Sequence, residues 1–464
     1  MLVRTQEHRG IRMKVCGASA HLTMKHQETR RETIAKNHVR KEYRGDWMEL
    51  ILIGAGQRGM VYAEYFQAKG HRIVAVADID PVHLEIARKK FGIPAEMAFS
   101  DADELLNKEK LGDAAIIATM DRAHYDSAIP AMKKGYHLLM EKPISPIPEE
   151  TLEIEKTAVA LDRKVVICHV LRYSPYFREI KRVIDSGVIG KVITIQHNEN
   201  IGNFHIAHSF VRGNWRRSDL SSTLMMQKSC HDMDLLVWLT GSRCRSVASF
   251  GDRTYFRAEN MPQGAADRCC DCPLKDSCRF SAYRAYLPVR GNWPATVLTP
   301  NQTEEGLMEA IRTGPYGRCV FRCDNDVCDH QVTILQFENG VTATFNLSGF
   351  TNRMARTMKI MGENGEIRAS EYDNVIEVTT FAPNGVDESA STVIHPAQSL
   401  SGHNGGDEGI VNDFIALLEG RAASASSGIV NSVESHMMAC AADLSRETGT
   451  VVNIRDFRKA HGGD

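Results

Sequence analysis

"MELILIGAGQRGMVYAEYF", residues 48–66, is a short apolar run followed by a glycine-punctuated turn and a segment with helical spacing. The apolar run predicts a buried parallel strand, and the segment after the turn predicts a helix that ends near Gly70. Gly54, Gly56 and Gly59 form a GxGxxG pattern between them. The first permits the tight turn, the second lets the backbone approach a pyrophosphate, and the third lets the helix pack on the strand. The sequence therefore predicts a phosphate-binding unit with the anion at the helix N-terminus.

The residues after this unit repeat the alternation of strand and helix. "HRIVAVADID" predicts a second strand that ends at Asp78, 24 residues after Gly54. A carboxylate at that position can accept hydrogen bonds from both ribose hydroxyls and would repel a 2'-phosphate, which favours NAD over NADP. "VHLEIARKKFG", "DAAIIAT", "AHYDSAIPAMKKG" and "YHLLMEKP" then predict helix, strand, helix and strand. We therefore expect an α/β Rossmann domain with a parallel, doubly wound sheet over residues 48–170; a structural glycine turn in another α/β protein is the alternative.

"GYHLLMEKPIS", residues 135–145, marks a resemblance to a known family. With the glycine turn and the strand ending in Asp, Glu141-Lys142-Pro143 is similar to the Gfo/Idh/MocA oxidoreductases, the group of glucose-fructose oxidoreductase and inositol dehydrogenase. The resemblance extends from Met48 over almost the whole chain and includes "RYSPYFREIKRVIDSGVIGKVITIQ", "CHDMDLLVWLTG", "IMGENGEI" and "SGHNGGDEGIVNDFIALLEG". The predicted cofactor-binding residues are Gly54, Gly56, Gln57, Arg58, Gly59, Asp78, Glu141 and Lys142.

The resemblance also implies two catalytic residues, Lys142 at both substrate and nicotinamide and His231 as the general base. Removing a hydride from a carbinol carbon leaves a hydroxyl proton that a positioned base must accept, and the pKa of histidine suits that task. One position departs from the family pattern, because many members carry Asp four residues before the His, where this chain has Gln227. We expect Lys228, Asp232 or Asp234 to compensate; a structural helix histidine is the alternative for His231.

Residues 171–464 predict a second domain of a different kind. "KVITIQHNEN" and "DHQVTILQFENGVTATFNLS" read as alternating strands, and Asn339-Gly340 within the latter is a strong hairpin signal. The domain therefore reads as α+β, with a large, mostly antiparallel open sheet and helices on one face. Because an open sheet face of that size is usually covered, we expect a homodimer or homotetramer.

Several residues of this second domain are candidates for substrate binding. Arginine forks and an indole face suit a sugar that carries a carboxylate, sulfonate or phosphate. A basic surface loop is the alternative for the segment "HIAHSFVRGNWRRS". The predicted substrate-binding residues are Arg172, Tyr173, Arg212, Trp215, Arg216, Asp234 and His403.

A segment of about residues 251–329 is rich in Cys, Pro and aromatic residues and lacks periodicity, which predicts an insertion. Cys269, Cys272 and Cys278 have ligand-like spacing, and Cys323 can supply a fourth thiolate. A structural zinc would order a segment with too few apolar residues to order itself. An iron–sulfur cluster and reduced, unligated thiols are the alternatives.

Composition bounds the remaining classes. The chain has 464 residues and a formal net charge of −2, which gives no general attraction to nucleic acid or to a membrane surface. Apolar runs are too short to cross a bilayer and no secretory signal is recognisable, so we expect a cytoplasmic protein. Residues 1–47 are rich in Arg, Lys and His and read as a disordered leader or a mis-assigned start, with a functional basic arm as the alternative.

The function expected from these features is NAD-dependent oxidation of a hydroxyl carbon in a sugar, glycoside or cyclitol. A first alternative is redox-neutral glycoside cleavage, in which transient oxidation acidifies the neighbouring C–H, the aglycone is eliminated, and the hydride is returned. A second alternative is a non-catalytic NAD-binding regulatory protein, which the departure at Gln227 would favour.

Overall fold

The strand and helix around the GxGxxG turn form as the sequence predicts. The structure is a computed structural model that describes residues 47–383 and 390–464. Leu50–Ile53 are buried in a central strand, and the helix that follows begins directly after Gly56. Residues Glu49–Asp464 form one compact unit. The predictions made for residues 1–46 of the leader lie outside the described residues.

The first sheet has six parallel strands in the order β3-β2-β1-β4-β5-β6. Its strands are β1 (Glu49–Ile53), β2 (Arg72–Ala77), β3 (Ala98–Phe99), β4 (Ala114–Ile117), β5 (His137–Met140) and β6 (Val165–Ile167). The helices of this part are α1 (Gln57–Ala68), α2 (Pro81–Phe91), α3 (Ala102–Asn107), α4 (His124–Lys133), α5 (Pro148–Ala160) and α6 (Pro175–Asp185). The strand order reverses between β1 and β4, and the crevice at such a point is where ligands of doubly wound sheets bind. The predicted Rossmann fold is confirmed.

The second sheet has nine strands in the order β14-β13-β12-β11-β7-β10-β9-β8-β15. All neighbours are antiparallel except β7 and β10. The strands are β7 (Val192–Asn200), β8 (Cys244–Asp252), β9 (His330–Phe337), β10 (Thr342–Ser348), β11 (Ala355–Gly362), β12 (Gly365–Ser370), β13 (Val375–Thr380), β14 (Ala390–Ile394) and β15 (Val452–Asn453). Gly340 turns the predicted β9–β10 hairpin with φ +90°. The mostly antiparallel α+β prediction is confirmed.

Helices cover one face of this second sheet. The helices after β7 are α7 (Asn203–His205), α8 (Leu224–Thr240), α9 (Ala282–Tyr286), α10 (Ala295–Leu298), α11 (Glu304–Thr313), α12 (Gly406–Leu418), α13 (Ile429–Thr448) and α14 (Ile454–Ala460), and a π-helix at Ile206–Arg212 continues α7. Of these, α8, α13 and α14 contact the sheet, whereas α12 packs on α1. α8 packs on β7 and β10, while α13 packs on α8 and β8. Side chains along β9 therefore alternate between buried and exposed, which leaves the opposite face of the sheet open.

The insertion lies between the antiparallel neighbours β8 and β9, and its apolar residues pack in two places. The rings of Phe256 and Phe280 meet edge to face at 5.5 Å, Tyr255 packs against Phe321 at 5.5 Å, and these phenylalanines are part of the main core. A second small cluster contains Cys269, Ala282, Tyr286, Ile311 and Tyr316. The insertion thus packs partly on the main core and partly within itself.

Across residues 47–383 and 390–464, the helices are too short or too polar to cross a lipid bilayer.

Candidate functional site

A cleft of about 1020 Å³ opens between the carboxyl ends of the first sheet's strands and helix α8. Its volume lies at the upper end of the roughly 300–1,000 Å³ range typical of ligand pockets. The predicted site residues that line it are Gln57, Arg58, Glu141, Lys142, Trp215, His231 and His403. The structure thus brings four of the eight predicted cofactor-binding residues, Gln57, Arg58, Glu141 and Lys142, to one cavity with the second predicted catalytic residue, His231, whereas Gly54, Gly56, Gly59 and Asp78 are not among the residues that line it.

The glycine turn leaves room for a phosphate group. Gly54 has φ +89°, and a Cβ on it would lie 2.5 Å from the carbonyl oxygen of Ala118. A Cβ on Gly59 would lie 2.0 Å from the Gly54 carbonyl oxygen, so only glycine lets α1 pack this closely on β1. Gly56 instead faces open space and begins α1 without a side-chain cap. The first N–H groups of α1 can therefore donate hydrogen bonds to the pyrophosphate of a dinucleotide. The residues present in this turn fit NAD.

Asp78 lies directly after β2 and faces the same turn. Its Oδ2 accepts a hydrogen bond from the Ala55 N–H at 2.6 Å, and its Oδ1 accepts one from the Asp80 N–H at 2.8 Å. These contacts fix the carboxylate beside the glycine turn, and each oxygen keeps a lone pair for a ribose hydroxyl.

An ion network ties the turn to the distant C-terminal part of the chain. Arg58 donates from Nε to Glu141 at 2.8 Å, and its two terminal nitrogens grip the Asp407 carboxylate at 2.9 and 2.7 Å. Tyr62 donates to Glu141 at 2.7 Å, and His403 Nδ1 lies 2.9 Å from Asp407. Burial opposes ionisation of Glu141, but the positive charges of Arg58 and Lys142 outweigh it and lower the pKa of that carboxyl. Arg58 and Glu141 therefore form an ion pair with each other at the cofactor end of the cleft.

Lys142 follows β5 and is held by the backbone of α8. Its ammonium Nζ donates to the carbonyl oxygen of Gln227 at 2.7 Å, one helical turn before His231. This contact uses only the backbone of Gln227, so the residue type at that position does not decide it. Among the described residues, no carboxylate lies within ion-pair distance of Lys142, which leaves its charge directed to the cleft.

His231 sits on α8 at the wall of the cleft and is 8% exposed. Its Nδ1 is buried and finds no hydrogen-bond partner among the described residues, so Nε2 is the nitrogen that can meet a ligand. Burial lowers the pKa of His231 well below its usual value, and the positive charge of Lys142 lowers it further. The imidazole is therefore neutral near pH 7 and able to accept a proton.

Of the residues expected to compensate for Gln227, Lys228 lines the cleft and lies 3.5 Å from Glu199, whereas the two carboxylates do not contact His231. Asp232 accepts hydrogen bonds from Arg356 Nε at 2.7 Å and lies 2.7 Å from His197 Nε2, and Asp234 is held bidentately by Arg172 at 2.6 and 2.7 Å. Both carboxylates are thus bound by arginines and are not among the residues that line the cleft. Within the part of the chain that the structure describes, no carboxylate contacts the imidazole of His231.

Five predicted substrate-binding residues do not reach the cleft, and the prediction for them is corrected. The Arg172–Asp234 pair is buried, since a bidentate arginine–carboxylate contact satisfies both groups. Tyr173 donates to Asp413 at 2.7 Å. Arg212 is also buried, where it donates to the carbonyl oxygens of Arg318 and Phe280. Arg216 pairs with Asp324 at 2.8 Å on the surface. Trp215 and His403 remain as predicted candidates in the cleft.

Other residues of the cleft escaped the sequence analysis. Asp121 follows β4 and accepts hydrogen bonds from Ser222 Oγ at 2.6 Å and Trp215 Nε1 at 3.4 Å. Arg356, on β11, lines the cleft and forms ion pairs with Asp232 and Glu199. Trp293 enters from the insertion, where no periodic pattern indicated its position.

The predicted zinc site is not supported. Within the described residues, no group of three or more His, Cys, Asp or Glu side chains is arranged to hold a metal ion. Cys269, Cys272 and Cys278 line one cavity with Cys319, whereas Cys323 Sγ donates to the Cys319 carbonyl oxygen at 3.3 Å. Arg212 Nη2 donates to Cys269 Sγ at 3.6 Å and the Phe280 N–H donates to Cys278 Sγ at 3.4 Å, so these two sulfurs contact ordinary protein groups.

Comparison with known proteins extends over both sheets. The oxidoreductase family's NAD-binding Rossmann fold matches residues 48–169, and the C-terminal alpha/beta domain of the same family matches residues 181–454. The putative oxidoreductase YteT of Bacillus subtilis is 24% identical over 358 residues, which is 74% of this chain and 82% of YteT. Inositol 2-dehydrogenase of Pseudarthrobacter chlorophenolicus is 28% identical over 286 residues, 60% of this chain and 79% of that enzyme.

Solved structures share the fold. A levoglucosan dehydrogenase in complex with NADH and levoglucosan aligns with a TM-score of 0.64 at 15% identity, over 88% of this chain and 99% of that one. The two sheets and their order along the chain thus recur as one architecture.

Proposed function

The chain belongs to the Gfo/Idh/MocA family of oxidoreductases, and from this premise we propose that it oxidises a ring hydroxyl of a sugar, glycoside or cyclitol with NAD as hydride acceptor. The observation that carries the proposal is that Lys142 and His231 line one cleft with Gln57 and Arg58, which directly follow the glycine turn. Relatives named inositol 2-dehydrogenase and a structural neighbour named levoglucosan dehydrogenase support a polyhydroxylated ring as substrate.

Different residues of the cleft bind the cofactor, stabilise charge and accept the proton. Bound NAD supplies the hydride acceptor, and the first turn of α1 with Asp78 holds its pyrophosphate and ribose. The Lys142 ammonium, fixed by the Gln227 carbonyl, steadies negative charge that develops on the reacting oxygen. His231 Nε2 takes the hydroxyl proton, because its buried imidazole is neutral near pH 7.

The direct test mixes protein and excess NAD⁺ with sugars, acidic sugars, cyclitols and glycosides, and follows NADH absorbance together with product analysis. A sustained rise in NADH is expected with at least one ring compound. Loss of a glycoside without NADH accumulation would replace net oxidation by redox-neutral cleavage. Tight NAD⁺ binding with neither change across the whole panel would argue for a non-catalytic protein.

Replacing Asp78 with Asn tests the cofactor preference. The amide keeps the size of the side chain and one acceptor for the Ala55 or Asp80 N–H, but it removes the charge that opposes a 2'-phosphate. We expect the ratio of kcat/KM for NAD⁺ to that for NADP⁺ to fall by about tenfold, the effect of losing one charged hydrogen bond. The matched control is Asp80→Asn, since Asp80 caps α2 at the Val82 N–H instead. An unchanged ratio would remove Asp78 from ribose recognition.

The open face of the second sheet supports a homo-oligomer. Ile334 on β9 and Phe250 on β8 are both more than half exposed there, and apolar groups on one sheet face commonly mark a protein interface. We expect wild-type protein to sediment as a dimer or tetramer and Ile334→Glu to shift it toward the monomer. Val159→Glu is the control, because Val159 is equally apolar and exposed but lies on α5. A monomeric wild-type protein would contradict the expectation.

A further inference from the structure

An aromatic cluster joins the insertion to the wall of the cleft. The indole of Trp293 meets the rings of His205 and His208 edge to face, with 5.4 Å between centroids in each pair. His208 stacks on Tyr316 at 4.8 Å, and its Nδ1 lies 3.0 Å from the Tyr286 hydroxyl. Both tyrosines belong to the small core of the insertion. Trp293 is therefore packed against other aromatic rings on the wall of the cleft.

Trp293 nevertheless keeps a free surface. Its side chain is 39% exposed and lines the same cavity as Lys142 and His231. The cleft has a second, inner indole, Trp215, which donates to Asp121 at 3.4 Å and packs on Phe210. The cavity thus has one indole tied to the strand ends of the first sheet and one supplied by the insertion.

His205 lines the cleft beside Trp293. Its ring meets that indole edge to face at 5.4 Å, and both side chains line the cavity that also contains Lys142. Two separate indoles, Trp215 and Trp293, therefore face one cavity.

An exposed indole suits the face of a sugar ring. The C–H groups on the apolar face of a pyranose carry partial positive charge, and the face of an indole is the negative part of its quadrupole. A rigid aromatic side chain also provides this contact area at little cost in conformational entropy. A cavity of about 1020 Å³ has room for more than one ring beside the cofactor end.

We propose that Trp293 forms a subsite for a second ring, so that the substrate is a glycoside or disaccharide rather than a free monosaccharide or cyclitol. This inference rests on the proposed function, because it assumes that the first ring is oxidised at Lys142 and His231. It assigns the insertion a role in substrate choice.

The test compares one-ring and two-ring partners: D-glucose with cellobiose, D-galactose with lactose, and myo-inositol with galactinol. NADH formation and substrate loss are measured for wild type, Trp293→Ala, Trp293→Phe and Met308→Ala. Met308 is the matched control because it lies in the insertion with the same 39% exposure but outside the cleft. Melting temperatures are recorded for all four proteins.

We expect the kcat/KM of wild type for a two-ring compound to exceed that for its one-ring partner by at least about tenfold. This is the effect expected from one aromatic contact together with the apolar area that it buries. Trp293→Ala should abolish that preference while turnover of the one-ring partner stays the same, and Trp293→Phe should restore part of it. Equal use of both partners by wild type, or an equal loss on both in Trp293→Ala, would overturn the subsite. Absence of turnover with every compound would instead contradict the proposed function itself.

Discussion

Replacing Lys142 with Ala is expected to lower kcat by about a thousandfold while the Kd for NAD⁺ changes little. The ammonium is held 2.7 Å from the Gln227 carbonyl and is directed to the cleft, so its removal takes away the charge nearest the reacting oxygen. Binding of NAD⁺ should persist because the pyrophosphate rests on backbone N–H groups at the start of α1. Single-turnover NADH absorbance and fluorescence titration with NAD⁺ separate the two effects.

Two further variants sharpen this test. Lys142→Arg keeps the charge but replaces a compact ammonium by a wider, planar guanidinium, so it should also be strongly impaired if position and shape matter. Lys69→Ala removes a lysine that pairs with Glu408 outside the cleft and should leave kcat near wild type. Wild-type turnover in Lys142→Ala would remove this residue from the mechanism, whereas a large rise in the Kd for NAD⁺ would make it a binding residue.

The cofactor half of the site could be predicted because its residues follow directly on elements that the sequence itself specifies. Gly54, Gly56 and Gly59 lie between an apolar strand and a helix, and a Cβ on Gly54 or Gly59 would clash with the backbone. Glu141 and Lys142 likewise come at the end of β5. Parallel strands place their carboxyl ends at one edge, so local patterns sufficed to assemble this part of the cleft.

The substrate half could not be predicted in the same way, because a buried ion pair and a binding arginine look alike in a sequence. Arg172 looked available for a ligand but is used by Asp234, 62 residues away. Arg58 is gripped by Asp407 across 349 residues, a pairing that only the folded chain reveals. Such contacts depend on tertiary packing, which residue type and spacing do not encode locally.

In the insertion, too, tertiary packing could not be predicted from residue type and spacing. The spacing of Cys269, Cys272 and Cys278 resembles a metal site, yet the packing of the segment comes from aromatic residues elsewhere in the insertion, such as Phe256 and Phe280. Those aromatic residues have no regular period, so their spacing does not predict how well they pack. The same irregular stretch supplies Trp293 to the cleft.

Replacing His231 with Asn is expected to lower kcat by about a hundredfold and to remove the acid limb of the pH–rate profile. In wild type, the acid limb of kcat/KM should lie below pH 6.5, the ordinary pKa of His, because burial lowers the pKa of His231. The charges around it act in the same direction, from Lys142 after β5, His169 after β6, Arg356 on β11 and His403 before α12. Since the neutral imidazole is the active form, activity should persist as the pH falls through 6.5 and decline only at lower pH.

A change of pH also changes the stability of the folded chain, and this effect must be distinguished from the pH–rate profile. Burial lowers the pKa of His231 well below its usual value and that of His436 to about 3. Both side chains therefore bind fewer protons in the folded than in the unfolded chain, so stability falls as the pH drops below about 6.5. Circular dichroism at each pH therefore accompanies the rates. His71→Asn is the control for loss of a buried imidazole, because His71 lies outside the cleft and its pKa is also lowered by burial. An acid limb centred above pH 6.5, or one that survives in His231→Asn, would assign the proton transfer to another group, and Lys142 would be the next to test.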